Sequence, residues 1–243
     1  MRRRFFVEQF SGGAATLEGP AAHHLTRVLR ADPGQLYELS DGRSIFLARV
    51  ERVSRDRVDF AVVEPVEARA SRFDATLFIA VVKFDRFEWA LEKATELGAG
   101  TIVPLAAERS EKALVAAAPK RGARWQKILL ESAQQARCLR PPELRPVSRV
   151  RKAFAQDRSV IRVFLSEQTG AAPLKTILDA KALPRLAAPT RISLAIGPEG
   201  GWTDEEFAAA EATQFVPASL GGNILRTETA VVASLAAVRL YLD

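Results

Sequence analysis

Over the first 70 residues apolar positions recur with a period near two, in short runs that read as strands at 4–7, 36–39, 44–53 and 57–63. Ser40-Asp41-Gly42-Arg43 supplies turn chemistry between two of them. One stretch, 20–30, spaces Leu25, Val28 and Leu29 as a helix would, and Ala31-Asp32-Pro33-Gly34 ends it. Short strands around one helix predict a small β-barrel-like domain over 1–70, with 64–71 as a linker.

From residue 73 the rhythm changes. Apolar runs at 75–82, 101–105, 144–147, 160–165, 192–196 and 215–220 predict strands. Between them, helical spacing predicts helices over 87–97, 121–137, 203–212 and 228–242. The first of these puts Leu91, Ala94 and Leu97 on one face and is stopped by Gly98; the last repeats Val231, Val232, Leu235 and Val238. Strands alternating with helices predict an α/β domain over 73–243 with a mostly parallel sheet. Ligands of such a domain bind at the carboxyl ends of the strands.

Composition narrows the class. The chain has 243 residues, 48% of them hydrophobic, enough for a real core and unlike a disordered chain. No apolar run approaches the ~20 residues of a membrane span. Three arginines open the sequence, but Glu8 and Gln9 break the short apolar run after them, so no signal peptide is read and a cytoplasmic protein is expected. A lone cysteine, Cys138, excludes an intrachain disulfide and a cysteine-based zinc site, and the adjacent His23 and His24 are poorly placed to chelate; no metal is expected.

Net charge is +6, and it is regional. Residues 109–152 hold twelve Lys or Arg against three Glu, a net of +9, whereas 190–243 holds three Arg against seven acids, a net of −4. The basic stretch reads either as a solvated helix surface or as a nucleic-acid footprint.

Two loops carry candidate chemistry. Ile196-Gly197-Pro198-Glu199-Gly200-Gly201 follows a strand, and its glycines let a ligand touch backbone. Thr203-Asp204-Glu205-Glu206 is a capping box whose three acids already answer the helix dipole, so this helix start does not suit an anion. No GxxxxGK[ST] or GxGxxG pattern is present. A backbone cradle beside a carboxylate fits a ligand with amide-like edges, ribose hydroxyls or positive charge, which S-adenosylmethionine combines; a plain strand–turn–helix is the alternative. The second loop, Leu220-Gly221-Gly222-Asn223-Ile224-Leu225-Arg226-Thr227-Glu228-Thr229-Ala230, runs from a strand end into the last helix. By itself it reads as a helix entry with Thr227 as N-cap and Arg226 paired to Glu228.

Taken together, the two loops resemble the family of small-subunit ribosomal RNA uridine-N3 methyltransferases, the RsmE type, within the SPOUT class. The resemblance extends over nearly the whole chain: Arg3-Arg4-Phe5-Phe6-Val7, His24-Leu25-Thr26-Arg27-Val28-Leu29-Arg30, Lys83-Phe84-Asp85-Arg86-Phe87-Glu88, Lys93-Ala94-Thr95-Glu96-Leu97-Gly98 and Glu108-Arg109-Ser110 are similar to family motifs. Gly197 to Gly201 is moderately specific; combined with Ile224 to Ala230 it is highly so. Phe84, Gly222 and Asn223 depart from the family pattern. So does Gln134-Gln135-Ala136-Arg137-Cys138, which leaves Arg137 and Arg140 as alternatives for one family arginine.

The resemblance implies a PUA-like RNA-binding domain followed by a SPOUT domain whose chain end is threaded as a trefoil knot. It also implies a homodimer, and S-adenosylmethionine as donor with no metal. The implied partner is 16S ribosomal RNA, in the small ribosomal subunit, with no membrane. Donor contacts are expected from Leu165, Ile196, Gly197, Pro198, Glu199, Gly200, Gly201, Leu220, Gly221, Ile224, Leu225 and Arg226. RNA contacts are expected from Arg3, Arg4, Arg27, Arg30, Lys83, Arg86, Arg109, Arg137 and Arg140. Uridine N3 carries a proton on the pairing edge, so the base must be unpaired and deprotonated before or during methyl transfer. Arg226, with Arg86 and Lys83 as alternatives, is the expected cation beside the uracil carbonyls, and Glu228 a candidate proton acceptor. A SPOUT enzyme acting on a ribose hydroxyl or a transfer RNA base, and a non-catalytic RNA-binding protein, are the competing readings.

Overall fold

Alternating apolar positions bury one face of each N-terminal strand. In a computed structural model, describing residues 3–68, 71–168, 170–180 and 189–242, these are β1 (Arg4–Phe6), β2 (Ala14–Glu18), β3 (Leu36–Ser40), β4 (Ile45–Val53) and β5 (Arg57–Pro65). They form one curled sheet in the order β1-β3-β4-β5-β2, antiparallel except for the β1–β3 pair. Phe5, Leu17, Leu39, Val50, Val58 and Phe60 pack inside it, together with Leu25. The single helical stretch is shorter and less regular than its sequence predicts. A helix, α1 (Gly19–His23), passes into one π turn over His24–Val28, which leaves Val28 exposed.

The chain divides into two compact units, Met1–Ala70 with Ala133–Pro141, and Ser71–Ser132 with Pro142–Asp243. The insertion of 133–141 into the first unit has a local cause. Arg4 and Glu38 form a buried ion pair at 2.9 Å, Arg4 also donates to the Cys138 carbonyl at 3.2 Å and to that of Arg137, and Ser40 Oγ donates to the Leu139 carbonyl at 2.6 Å. Arg137 takes a left-handed conformation, φ 55°, and Cys138 N–H reaches the Ala133 carbonyl at 2.9 Å, the closure that ends a helix in a Schellman turn.

The second unit begins with β6 (Phe73–Ala80), α2 (Phe84–Glu96), β7 (Ala99–Ala106), α3 (Lys112–Ala117) and α4 (Gly122–Gln135), the last continuing into the first unit. Then come β8 (Glu143–Leu144), β9 (Ser148–Arg149), α5 (Val150–Gln156), β10 (Ile161–Leu165), β11 (Ala172–Pro173) and α6 (Leu174–Ala180). It closes with β12 (Thr190–Ile196), α7 (Asp204–Ala212), β13 (Val216–Ser219) and α8 (Thr227–Leu242). The sheet is parallel throughout, ordered β11-β13-β10-β12-β6-β7-β8, with β9 also on β7.

Both faces of this sheet are covered, which is why its strands read as continuous apolar runs. Leu77, Ile79, Val163, Leu194 and Ile196 face one core with Phe87 and Leu91 of α2 and Val231, Leu235 and Val238 of α8. Phe78, Phe164 and Ala195 face the other, with Val150 and Phe154 of α5 and Ala210 of α7. The expected strand over 144–147 is instead split into β8 and β9, each of two residues, with Arg145, Pro146 and Val147 between them. Pro146 has no N–H to give a ladder.

Candidate functional site

Strands β13, β10 and β12 are neighbours, and their carboxyl ends release three loops side by side. The loops after Leu165, Ile196 and Ser219 enclose a cleft of about 220 Å³. This is where an open parallel sheet offers a ligand site.

The floor depends on an aromatic outside the residues singled out from the sequence. Trp202 directly follows the Gly200-Gly201 turn, stacks on Phe164 with ring centroids 4.5 Å apart, and donates its indole N–H to the Leu165 carbonyl at 2.9 Å. It thereby ties the β12 loop to the end of β10. A Cβ on Gly197 would come within 2.9 Å of the Trp202 ring, so only glycine allows this approach. Gly201 turns back with φ 69° and its N–H bonds the Pro198 carbonyl at 2.9 Å.

The third loop is fixed from the helix it enters. Thr227 is buried as the first residue of α8 and, rather than capping its own helix, donates its hydroxyl to the Gly197 carbonyl at 2.9 Å. The capping box of α7 is present as expected: Thr203 accepts from Glu206 N–H at 3.3 Å and Glu206 from Thr203 N–H at 2.9 Å. Glu206 is also buried and accepts the Glu108 N–H at 3.0 Å, which anchors the loop carrying Arg109. Arg109 in turn donates to the Gly200 carbonyl at 2.8 Å.

Glu199 lines the cleft and is ion-paired to Arg86 of α2. Its carboxylate therefore ties the glycine loop to the start of α2. Arg86 also lies 4.0 Å from Glu228 Oε1 on the first turn of α8. Glu228 does not pair with Arg226, contrary to the reading of that loop by itself. Its second oxygen, Oε2, is buried without a hydrogen-bond partner among the described residues.

Most expected donor residues converge here. Leu165, Ile196, Gly197, Pro198, Glu199, Gly201, Leu220, Gly221, Ile224 and Leu225 all line the cleft. Gly200 and Arg226 do not: Gly200 turns its back onto Arg109, and Arg226 gives its carbonyl to the first α8 hydrogen bond while its side chain is exposed. Of the expected RNA contacts, Arg3, Arg27, Arg30, Arg137 and Arg140 are exposed in the first unit, and Lys83 is exposed at the N-cap of α2. Arg4 is a correction: it is 7% exposed and engaged with Glu38 and two carbonyls, so it serves the core and is closed to RNA. Arg109 is exposed and stands on the cleft wall. Trp202, Thr227 and Glu167 are wall residues outside the expected set. For Trp202 a signal exists in its place directly after two glycines.

The cleft suits a cationic methyl donor. Its wall combines backbone at glycine turns, apolar Ile196, Leu220 and Leu225, and two carboxylates, Glu167 and Glu199, against one cation, Arg109. Among the described residues no group of three or more His, Cys, Asp or Glu is arranged to hold a metal, and no helix is long and apolar enough to cross a membrane.

Known proteins point the same way. A family model described as an RNA methyltransferase domain matches residues 69–239. A Synechocystis sp. protein named Ribosomal RNA small subunit methyltransferase E is 33% identical over 247 residues, covering 97% of this chain and 76% of that protein. A crystal structure of a Ribosomal RNA small subunit methyltransferase E from Neisseria gonorrhoeae, bound to S-adenosyl methionine, superposes with a TM-score of 0.84 at 29% identity and covers 99% of this chain and 98% of that one. A Legionella pneumophila protein in complex with the cofactor SAM gives 0.82 at 28% identity, covering 99% and 98%.

Proposed function

This chain belongs to the RNA methyltransferase domain family, and from that premise we propose that it methylates N3 of a uridine in 16S ribosomal RNA of the small subunit, with S-adenosylmethionine as donor. The observation that carries the reading is the cleft. Ten of the twelve residues expected to hold the donor meet at the ends of three adjacent parallel strands. The names of the relatives and the donor bound in two similar structures support it.

When bound, the donor supplies an electrophilic methyl group on a cationic sulfur. The chain must position an unpaired uracil, take its N3 proton and stabilise the charge that spreads onto the carbonyls. Arg226, exposed between cleft residues Leu225 and Thr227, and Arg86, held by Glu199 beside Glu228, supply the cations. Glu228, on the first turn of α8 beside Arg86, accepts the proton. A new bond joins N3 to the methyl carbon as the sulfur–methyl bond breaks, and the proton leaves by way of Glu228 to water. Arg3, Arg27, Arg30, Lys83, Arg137 and Arg140 hold the RNA backbone by charge.

The same reading includes a PUA-like RNA-binding domain over 1–70, a SPOUT domain over 73–243 with its chain end threaded as a trefoil knot, a homodimeric assembly and a cytoplasmic site of action. The curled sheet of the first unit and the parallel sheet of the second support the two domain assignments. Incubation of the purified protein with tritiated donor and small ribosomal subunits tests it. Label should enter 16S RNA; donor binding without transfer to any RNA would favour a binding module.

A further inference from the structure

We infer that Arg109 and Glu167 together read the amino-acid end of the methyl donor, Arg109 taking its carboxylate and Glu167 its ammonium group. The inference rests on the donor reading of the cleft and assigns which end of the donor lies where.

The charges of the wall are few. Among the described residues that line the cleft, Arg109 is the one cation, and Glu167 and Glu199 are the acids. Glu199 is already paired with Arg86. Glu167 has no hydrogen bond or ion pair among the described residues. Arg109 commits one N–H of Nη1 to the Gly200 carbonyl at 2.8 Å, and a guanidinium has five such donors.

Their placement is specific. A Cβ built on Gly201 would lie 3.3 Å from Glu167 Oε1 and 3.8 Å from Arg109 Nη1. The two opposite charges therefore flank Gly201, and a side chain at residue 201 would crowd both of them. An α-amino acid carries its ammonium and carboxylate on one carbon, so one end of a ligand can meet both charges beside Gly201. The cleft elsewhere offers Ile196, Leu220 and Leu225, apolar surface suited to an adenine ring.

Arg109 is also held in place rather than free to swing. Its loop is anchored by the Glu108 N–H bond to Glu206, and the Gly200 carbonyl fixes its guanidinium. Preorganised charge loses less on binding than a mobile side chain would.

The test compares three ligands by calorimetry, in the wild type and in Glu167→Gln and Arg109→Met: S-adenosylmethionine, S-adenosylhomocysteine and 5′-methylthioadenosine, which keeps the nucleoside and sulfur but lacks the amino-acid end. Each variant should bind the first two about tenfold more weakly, the scale of one lost charge-assisted hydrogen bond, and methylthioadenosine within about twofold of wild type. An equal loss for all three ligands would overturn the assignment, since the substitutions would then act through loop geometry. Unchanged affinity for all three would overturn it as well. Failure of the wild type to bind any of them would defeat the donor reading itself, a different outcome.

Discussion

Glu199 is an oddity in the sequence, a carboxylate inside a glycine turn, and its partner explains it: Arg86, from a helix far earlier in the chain, is tied through it to the glycine loop. The glycine turn and its acid are visible in the sequence, but the ion pair is not, because it joins positions with no local relation. Thr227 behaves in the same way. Its position before an apolar helix suggests an N-cap, whereas its hydroxyl goes to the Gly197 carbonyl, a tertiary partner that outcompetes the local one. Two substitutions probe this scale. Gly197→Ala places a methyl group 2.9 Å from the Trp202 ring, and moving that ring strains its bond to Leu165. Thermal unfolding should shift to lower temperature and donor affinity should fall about tenfold or more, consistent with overpacking costs of ~1–3 kcal/mol. Arg226→Ala, by contrast, removes an exposed side chain outside the cleft wall. Donor binding by calorimetry should stay near wild type while turnover falls about 10²-fold or more, as for loss of one charge-stabilising donor. Full activity in that variant would remove Arg226 from the mechanism.

Among elements, the longer ones are legible in the sequence and several of the short ones are not. α2, α4 and α8 and the central strands have enough residues for a period to register, and the Thr203 capping box marks the start of α7 to the residue. β2, α3, α5, β11 and α6 give no such signal; each has at most seven residues, too few turns or alternations to stand above background. The capping box has a tertiary use that local sequence does not reveal, since Glu206 also accepts the Glu108 N–H. Thr203→Ala should cost ~1 kcal/mol, the usual effect of a lost cap, and leave donor affinity close to wild type. Glu206→Ala should cost ~2–3 kcal/mol, because a second backbone N–H, that of Glu108, also loses its acceptor, and should weaken donor binding by loosening the Arg109 loop. Chemical denaturation beside calorimetry separates the two; equal effects on donor affinity would show that Glu206 acts only as a cap.

For the whole molecule, the change from strand-rich to alternating rhythm near residue 70 announces two architectures, and both are present. The return of 133–141 to the first unit is not legible. It is encoded by a buried Arg4–Glu38 pair and by Ser40, none of which signals its distant carbonyl partners. A fragment ending at residue 70 would leave those donors without acceptors in the interior. It should show no sharp thermal transition by circular dichroism, and a fragment that carries 133–141 on a flexible linker should recover one; cooperative unfolding of the shorter piece would contradict this. At the same scale lies the chemistry on RNA. Its most direct test is to treat small ribosomal subunits from a strain lacking the protein with the purified enzyme and S-adenosylmethionine, then digest the 16S RNA and identify the modified nucleoside by mass spectrometry. One N3-methyluridine per subunit is predicted. Methyl groups on a ribose or another base, or none at all, would contradict it.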